Sequence, residues 1–153
     1  MKQISEAWDE QRERLLESPC YVIDYLPRQV PADSEGNYFG VERYLTERPR
    51  LEGLYRRFAR LVLCLSCYDR MAANLDPEEE WSVDPTPEEL TGLIEVCAGD
   101  EPAYVSLLLP GEDALLTLDG GDLYMSVYHP SEDLLDLIRQ LAAAEALFVR
   151  EGA

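Results

Sequence analysis

The chain has 153 residues, of which 46% are apolar, and carries a formal net charge of −18 at pH 7. This length suits a single domain over residues 1–153, and the apolar content excludes a disordered chain in spite of the charge. No apolar run reaches the roughly 20 residues of a transmembrane helix, and the charged N-terminus lacks the apolar centre of a signal peptide, so we expect a cytoplasmic protein with no membrane partner.

The charge is concentrated in the second half of the chain. Residues 1–70 contain 11 basic and 12 acidic side chains, whereas residues 71–153 contain 2 basic and 19 acidic ones. Such an acidic field repels phosphate backbones and attracts basic surfaces, which argues against nucleic-acid binding and for a basic protein partner. The alternative is an acidic surface that serves solubility alone.

The N-terminal third predicts two helices around a short strand. Residues 4–18 have a modest apolar stripe typical of a helix, which Pro19 ends. Residues 20–26 are β-branched, aromatic and aliphatic, as in a strand. A loop with prolines and glycine follows over 27–37, and a short helix over 41–47.

The middle of the chain predicts a long central helix, a connector and a further helix. Residues 50–73 place apolar side chains at helical spacing, wide enough for packing on more than one side. An acidic, proline-rich connector then contains Trp81, which either packs on the core or binds a partner. Thr86 is the expected N-cap of a helix over 87–98.

The C-terminal half predicts three strands and a last helix. The strands cover 103–110, 113–119 and 122–130, with a tight hairpin turn at 119–122, and the helix covers 131–148. These elements predict an α+β domain. Its antiparallel sheet has about four strands, three C-terminal and one N-terminal, with four to five helices packed mainly on one face.

Alternation along the C-terminal strands divides their side chains between two faces. The apolar face, expected to pack on the helices, contains Val105, Leu107, Leu109, Leu116, Leu118, Leu123, Met125 and Val127. The second face is rich in tyrosine and hydroxyl groups and contains Tyr104, Ser106, Leu108, Leu115, Thr117, Asp119, Tyr124, Ser126 and Tyr128. Tyrosine brings contact area at small entropic cost. The candidate interaction residues are therefore Tyr104, Tyr124, Tyr128, Asp119, Asp122 and Trp81, unless a helix or the loop over 27–40 covers them.

Asp24 lies in the strand over 20–26, where two registers are open. If Tyr21 and Tyr25 join the tyrosine-rich face, Asp24 points toward the helices and needs a basic partner from them, because a buried unpaired carboxylate is costly. We favour this interpretation. In the opposite register Asp24 lies on the second face beside hydroxyl groups.

An enzyme is the alternative to a binding protein. The chain has one histidine, His129, and an enzyme site would combine it with Asp24, Arg28 and Tyr38, where the loop folds over the strand end. Glycine-rich phosphate loops and calcium loops are absent, and we predict no cofactor and no metal.

The four cysteines are expected to be small buried hydrophobes in a reducing compartment. Cys64 and Cys67 form a C-x-x-C, but this pair lies within the predicted central helix. That position favours a structural role over redox or zinc chemistry.

Together these features predict a small acidic binding or regulatory protein that engages a basic or polar protein partner. Inhibitors, antitoxin-like proteins and immunity-like proteins use acidic surfaces of this general kind, which is an analogy of surface charge alone. The remaining alternative is an accessory domain without catalytic activity that closes a homodimer.

Overall fold

The computed structural model describes residues 2–76, 80–99 and 103–152, so that 77–79 of the predicted connector lie outside the described residues. The helices are α1 (Lys2–Leu15), α2 (Glu35–Leu45), α3 (Arg50–Leu65), α4 (Pro87–Val96) and α5 (Glu132–Ala144). The strands are β1 (Cys20–Asp24), β2 (Ala72–Asp76), β3 (Ser82–Val83), β4 (Tyr104–Leu109), β5 (Ala114–Asp119), β6 (Tyr124–Tyr128) and β7 (Phe148–Glu151).

In the described part of the chain, the strands form one antiparallel sheet in the order β3-β2-β4-β5-β6-β1-β7. The α+β class is confirmed, as is the pairing of the N-terminal strand with the three C-terminal ones. The predicted number of about four strands is wrong, because the sheet has seven.

Two of the additional strands begin at the ends of segments predicted as helix. The helix expected over 50–73 ends at Leu65, and β2 begins at Ala72. The helix expected over 131–148 ends at Ala144, since Ala146 has a φ of +57°, which a helix cannot accommodate. β7 then returns along β1.

Helix α2 begins earlier than the predicted helix over 41–47. A 3-10 turn at Ala32–Ser34 leads directly into it, which shortens the loop expected over 27–37. On this helix Phe39 is 52% exposed, whereas the preceding Tyr38 is half-buried. Tyr38 is thus partly covered by the protein, whereas the adjacent Phe39 lies at the surface.

The main core lies between one face of the sheet and helices α3, α4 and α5. It contains the predicted apolar face of β4, β5 and β6 together with the buried side of α3, as expected from the wide apolar stripe of that helix. Thr86 closes a capping box at the start of α4, and Ser131 caps α5, as predicted.

Helices α3, α4 and α5 pack on the first face of the sheet, whereas α1 covers part of the second face. A smaller apolar cluster forms there from Leu15, Ala72, Trp81, Leu108 and Leu115, with Trp8, Leu16 and Tyr128 packed against it. The apolar residues Leu108 and Leu115 explain this arrangement, because their burial on the second face requires a cover.

Candidate functional site

Three rows of side chains cross the second face of the sheet, since residues directly opposite each other on antiparallel strands share a face. The apolar row, under α1, contains Ala72, Leu108, Leu115, Tyr128 and Cys20. The middle row contains Asn74, Ser106, Thr117, Ser126, Val22 and Arg150. The third row, at the far end of the strands, includes Asp76, Tyr104 and Asp119, with Asp24 opposite Tyr124.

Helix α1 covers Trp81, one of the predicted interaction residues, and packs beside a second, Tyr128, which is half-buried. Trp81 is only 6% exposed, and its Nε1 donates a hydrogen bond of 2.9 Å to Asp9. Arg12 lies over the same ring, 5.1 Å from its centroid, and Tyr128 packs against this cluster. Trp81 therefore anchors the connector to α1, which favours the packing alternative for this residue over a binding role.

The other four predicted interaction residues come together at the uncovered end of the sheet. Tyr104 faces Asp119 across β4 and β5, and Tyr124 begins β6 just after Asp122 in the hairpin turn. Tyr124 is 41% exposed, Asp119 is exposed, and Tyr104 is half-buried. We call these four residues the tyrosine–aspartate surface.

The acids of this surface repel one another. Burial raises the pKa of Asp122, and the nearby carboxylates of Asp119 and Glu42 raise it further. Burial also raises the pKa of Tyr124, as do the charges of Asp122 and Asp119. No ion pair joins Asp119 or Asp122 to another described residue. A cation placed here would relieve this repulsion.

Tyr55 fixes the turn that carries the surface. From α3 its hydroxyl donates to the carbonyl of Asp122 at 2.7 Å and accepts from the backbone N–H of Gly121 at 2.9 Å. Gly121 has a φ of +88°, which explains the second glycine of the predicted hairpin turn. The tyrosine–aspartate surface is thus tied to the main core.

A second candidate site is a cavity of about 480 Å³ beyond the end of β1, which brings together Asp24, Arg28 and Tyr38. Phe39 and Arg150 also line it. Three of the four residues of the predicted enzyme site therefore meet in one cavity, and its volume is that of a small-molecule site.

His129 does not join them. It follows β6 at Tyr128, opposite Cys20, whereas Asp24 lies opposite Tyr124, so about 13 Å of strand separates the two ends. Its Nδ1 lies 2.8 Å from the carbonyl oxygen of Asp113. The enzyme site is therefore not assembled as predicted.

Asp24 lies in the register that we did not favour. Val22 and Asp24 share the second face with Ser126 and Tyr124, while Ile23 packs in the main core. The carboxylate is 7% exposed and is paired, as expected of a buried charge, but its partner is Arg150 of β7 rather than a helix residue.

The hydrogen bonds and protonation states of Asp24 and Tyr38 in this cavity suit ligand binding better than proton transfer. Oδ1 of Asp24 accepts from the backbone N–H of Tyr25 at 2.7 Å, and Oδ2 accepts from Arg150 at 2.8 Å. Burial raises the pKa of Tyr38, and the charge of Glu42 raises it further, so its hydroxyl stays protonated at neutral pH. The Tyr38 hydroxyl already donates to Glu42 at 3.2 Å, so it is the exposed guanidinium of Arg28 that could donate to an anionic group in this cavity.

A third feature, which the sequence reasoning missed, is a groove of about 410 Å³ between α1, the end of α3 and the turn from β4 to β5. Its apolar walls include Trp8, Tyr68, Met71, Val83 and Pro110. Its charged residues are Asp69, Arg70, Asp84 and Glu112. We call it the aromatic groove. No motif could have indicated it, because its walls come from four separate segments of the chain.

The two halves of the chain pair their charges across the fold. Three arginines of the basic-containing half bind acids of the C-terminal half, so part of the charge asymmetry is neutralised locally. Water screens these pairs, since most of their side chains are exposed, so each pair adds little to stability. They are Arg14–Asp113 (2.6 Å), Arg60–Glu145 (3.0 Å) and Arg70–Asp84 (2.7 Å).

The cysteines are free thiols in different environments. Cys97 is buried, and burial raises its pKa to about 11. Cys64 and Cys67 are exposed at the end of α3, which corrects the expectation that all four are buried. Within the residues described, no group of three histidine, cysteine or acidic side chains could hold a metal ion.

The described helices include none that is long and apolar enough to cross a bilayer. Comparison with known proteins finds no relative: no family model, no curated protein and no solved structure matches the chain. The case for a function therefore depends on the geometry and charge of its own residues.

Proposed function

We propose that this chain is a small acidic cytoplasmic protein that binds a basic protein partner through the tyrosine–aspartate surface. An inhibitory, antitoxin-like or immunity-like role would use such a surface, since each blocks a partner by covering it. The proposal follows from surface chemistry and requires no catalytic group.

The observation that carries the proposal is the convergence of Tyr104, Tyr124, Asp119 and Asp122 at the uncovered end of the sheet. Tyrosine rings supply contact area with little loss of side-chain entropy, and unpaired carboxylates supply steering and charge complementarity. Because Tyr55 and Gly121 hold the turn, little ordering is needed on binding, which favours affinity.

The competing explanation, an acidic surface that serves solubility alone, makes a different prediction for substitutions. We would measure binding of a decalysine peptide by calorimetry at about 20 and about 200 mM salt, where screening lengths differ about threefold. The variant Asp119→Asn/Asp122→Asn removes two charges from the surface. The control Glu88→Gln/Asp136→Asn removes two charges from exposed positions on α4 and α5.

We expect the surface variant to bind roughly fivefold more weakly than the control variant at low salt, with a smaller salt dependence. Tyr124→Ala should also weaken binding. Equal weakening by both double variants would mean that the acidity is diffuse, and the proposal would be abandoned.

A homodimer remains the second candidate, and one observation favours it. β7 is the last strand of the described sheet order, and Phe148 at its start is 43% exposed. Edge strands of this kind can pair with another copy. Light scattering over a range of concentrations distinguishes the two, because a dimer formed through β7 would persist in the Asp119→Asn/Asp122→Asn variant.

A further inference from the structure

The aromatic groove lies at the opposite end of β4 and β5 from the tyrosine–aspartate surface. Tyr104 and Asp119 mark one end of this strand pair, and Pro110 and Glu112 mark the other. We propose that the aromatic groove binds an arginine side chain of a partner polypeptide. This site is separate from the proposed function and can be tested separately.

The walls of the groove present apolar side chains to solvent. Tyr68 is 66% exposed and Val83 is 46% exposed, beside Trp8 and the buried Met71. Exposed aromatic and aliphatic groups that line a concavity gain most from a ligand with both an apolar and a polar part. Arginine has a methylene stem and a flat guanidinium that stacks on aromatic rings.

The charges of the groove are unbalanced. Arg70 is bound by Asp84 through hydrogen bonds of 2.7 and 3.2 Å, so both charges are satisfied. Asp69 and Glu112 remain, and no ion pair joins either to another described residue. The four charged residues therefore leave a net charge of −2 on the lining.

The two remaining carboxyl groups interact directly. Partial burial raises the pKa of Glu112, and the neighbouring Asp69 raises it further, with Asp133 of α5 adding to the effect. A guanidinium between Asp69 and Glu112 would replace this repulsion with charge-assisted hydrogen bonds. Two carboxylates side by side match the several N–H groups of its planar fork.

Arginine suits this groove better than a metal ion or a lysine. A metal ion uses none of the apolar wall and prefers more oxygen ligands than two carboxylates supply. An ammonium group is a compact, strongly hydrated charge, and it cannot stack flat on Tyr68 or Trp8. The wall at Val83 and Pro110 would contact residues that flank the arginine.

The test uses the full-length protein labelled with nitrogen-15 and a short blocked peptide with one central arginine between glycine and serine residues. The matched ligand replaces arginine with citrulline, which has nearly the same shape and no charge. We expect the arginine peptide to shift the amide signals of residues 68–71, 83 and 111–112 and the indole signal of Trp8. The citrulline peptide should bind at least roughly fivefold more weakly than the arginine peptide.

Variants then identify the groups responsible. Asp69→Asn/Glu112→Gln should weaken the arginine peptide roughly fivefold, and Tyr68→Ala should weaken it as well. The control Glu88→Gln/Asp136→Asn should leave affinity within about twofold, because neither side chain lines the groove and both are exposed to screening by solvent.

Four results would overturn the proposal. They are equal binding of the citrulline peptide, shifts at residues 119–124 instead of the groove, no saturable shifts at all, and tighter binding of calcium chloride to the same residues.

Discussion

Arg150 of the edge strand β7 donates a hydrogen bond of 2.8 Å to Oδ2 of Asp24 on β1, across 126 positions of sequence. The two residues lie on the second face of the sheet, where Arg150 sits opposite Val22. Their side chains are 25% and 10% exposed, so the charges depend on each other more than on water. This pair therefore holds the last strand onto the sheet and forms part of the cavity beyond β1.

Replacing Arg150 with alanine should destabilise the protein by about 2 to 4 kcal/mol, because it leaves a nearly buried carboxylate without its cation. The free energy of unfolding in urea measures this loss. Cavity residues such as Arg28 stay in place, so the change acts through the ion pair.

The exposed pair between Arg14 and Asp113 serves as the control. Arg14→Ala removes a 2.6 Å contact whose partners are 58% and 40% exposed, and should cost much less than Arg150→Ala because water screens this pair. Equal costs for Arg14→Ala and Arg150→Ala would mean that water satisfies Asp24 and that β7 does not need the pair.

The difficulty of predicting β7 from the sequence has a physical cause. The segment around Ala142 to Phe148 continues the apolar spacing of α5, and alanine favours helix. The helix ends because Ala146 adopts a left-handed conformation. A glycine at this position would have predicted the helix end from the sequence, but an alanine does not. Similarly, the alanines that begin β2 fit the helical spacing of α3, and only pairing with β4 makes them strand.

The tyrosine–aspartate surface could be predicted because it depends on alternation in β4, β5 and β6, which are joined by short turns. The alternation of side chains and the lengths of the turns determine how such neighbouring strands pair. The aromatic groove could not be predicted, because Trp8, Tyr68 and Glu112 meet only through the position of α1. The partner of Asp24 could not be predicted either, because Arg150 lies beyond the last predicted helix, in a segment for which the sequence predicted no element.

Ser106 provides a test of packing on the second face. It is fully buried in the middle row, and its hydroxyl has no hydrogen-bond partner among the described residues. An unsatisfied buried hydroxyl is costly, so Ser106→Ala should leave stability unchanged or raise it by about 1 kcal/mol in urea unfolding.

Thr117, the neighbour of Ser106 on β5, is the contrasting position. Its hydroxyl interacts with that of Tyr104, so Thr117→Val should lose about 1 kcal/mol. A loss of similar size for Ser106→Ala would indicate that the Ser106 hydroxyl has an ordered water as partner.

Glu112 and Asp113 are adjacent in the turn from β4 to β5, yet folding shifts their pKa values in opposite directions. Burial and Asp69 raise the pKa of Glu112 above its ordinary 4.5, so the fold disfavours its charged form. Hydrogen bonds from Arg14 and Gln11 lower the pKa of Asp113 below its ordinary 3.8, so the fold favours its charged form.

The stability of the two variants should therefore depend on pH with opposite sign. Protonated Glu112 favours folding below about pH 4.5, and this advantage is lost as the pH rises, so Glu112→Gln should raise the unfolding midpoint at pH 7 but not at pH 3. Charged Asp113 favours folding above about pH 4, so Asp113→Asn should lower the midpoint at pH 7, with a smaller loss as the pH falls.

Asparagine tolerates the φ of +52° at position 113, so backbone strain does not confuse the comparison. Urea unfolding at several pH values measures both curves. Parallel curves for the two variants would contradict the assigned contacts, because a general effect of net charge would move both in the same direction.

Tyr55 connects stability to the proposed binding surface. Burial raises its pKa, so its hydroxyl remains a donor to Asp122 and an acceptor from Gly121. Tyr55→Phe leaves both backbone groups without this partner and should cost about 1 to 2 kcal/mol. It should also speed hydrogen exchange at the Gly121 amide and weaken decalysine binding, since Asp119 and Asp122 lose their fixed turn.

The control for this last prediction is Tyr44→Phe, which removes the hydroxyl of a ring that is 57% exposed on α2. It should leave both exchange at Gly121 and peptide affinity unchanged. If Tyr55→Phe speeds exchange without weakening binding, the turn is not part of the contact, and any acidic interface must lie elsewhere on the sheet. If it weakens binding while Gly121 stays protected, Tyr55 acts through the packing of α3 and not through the turn.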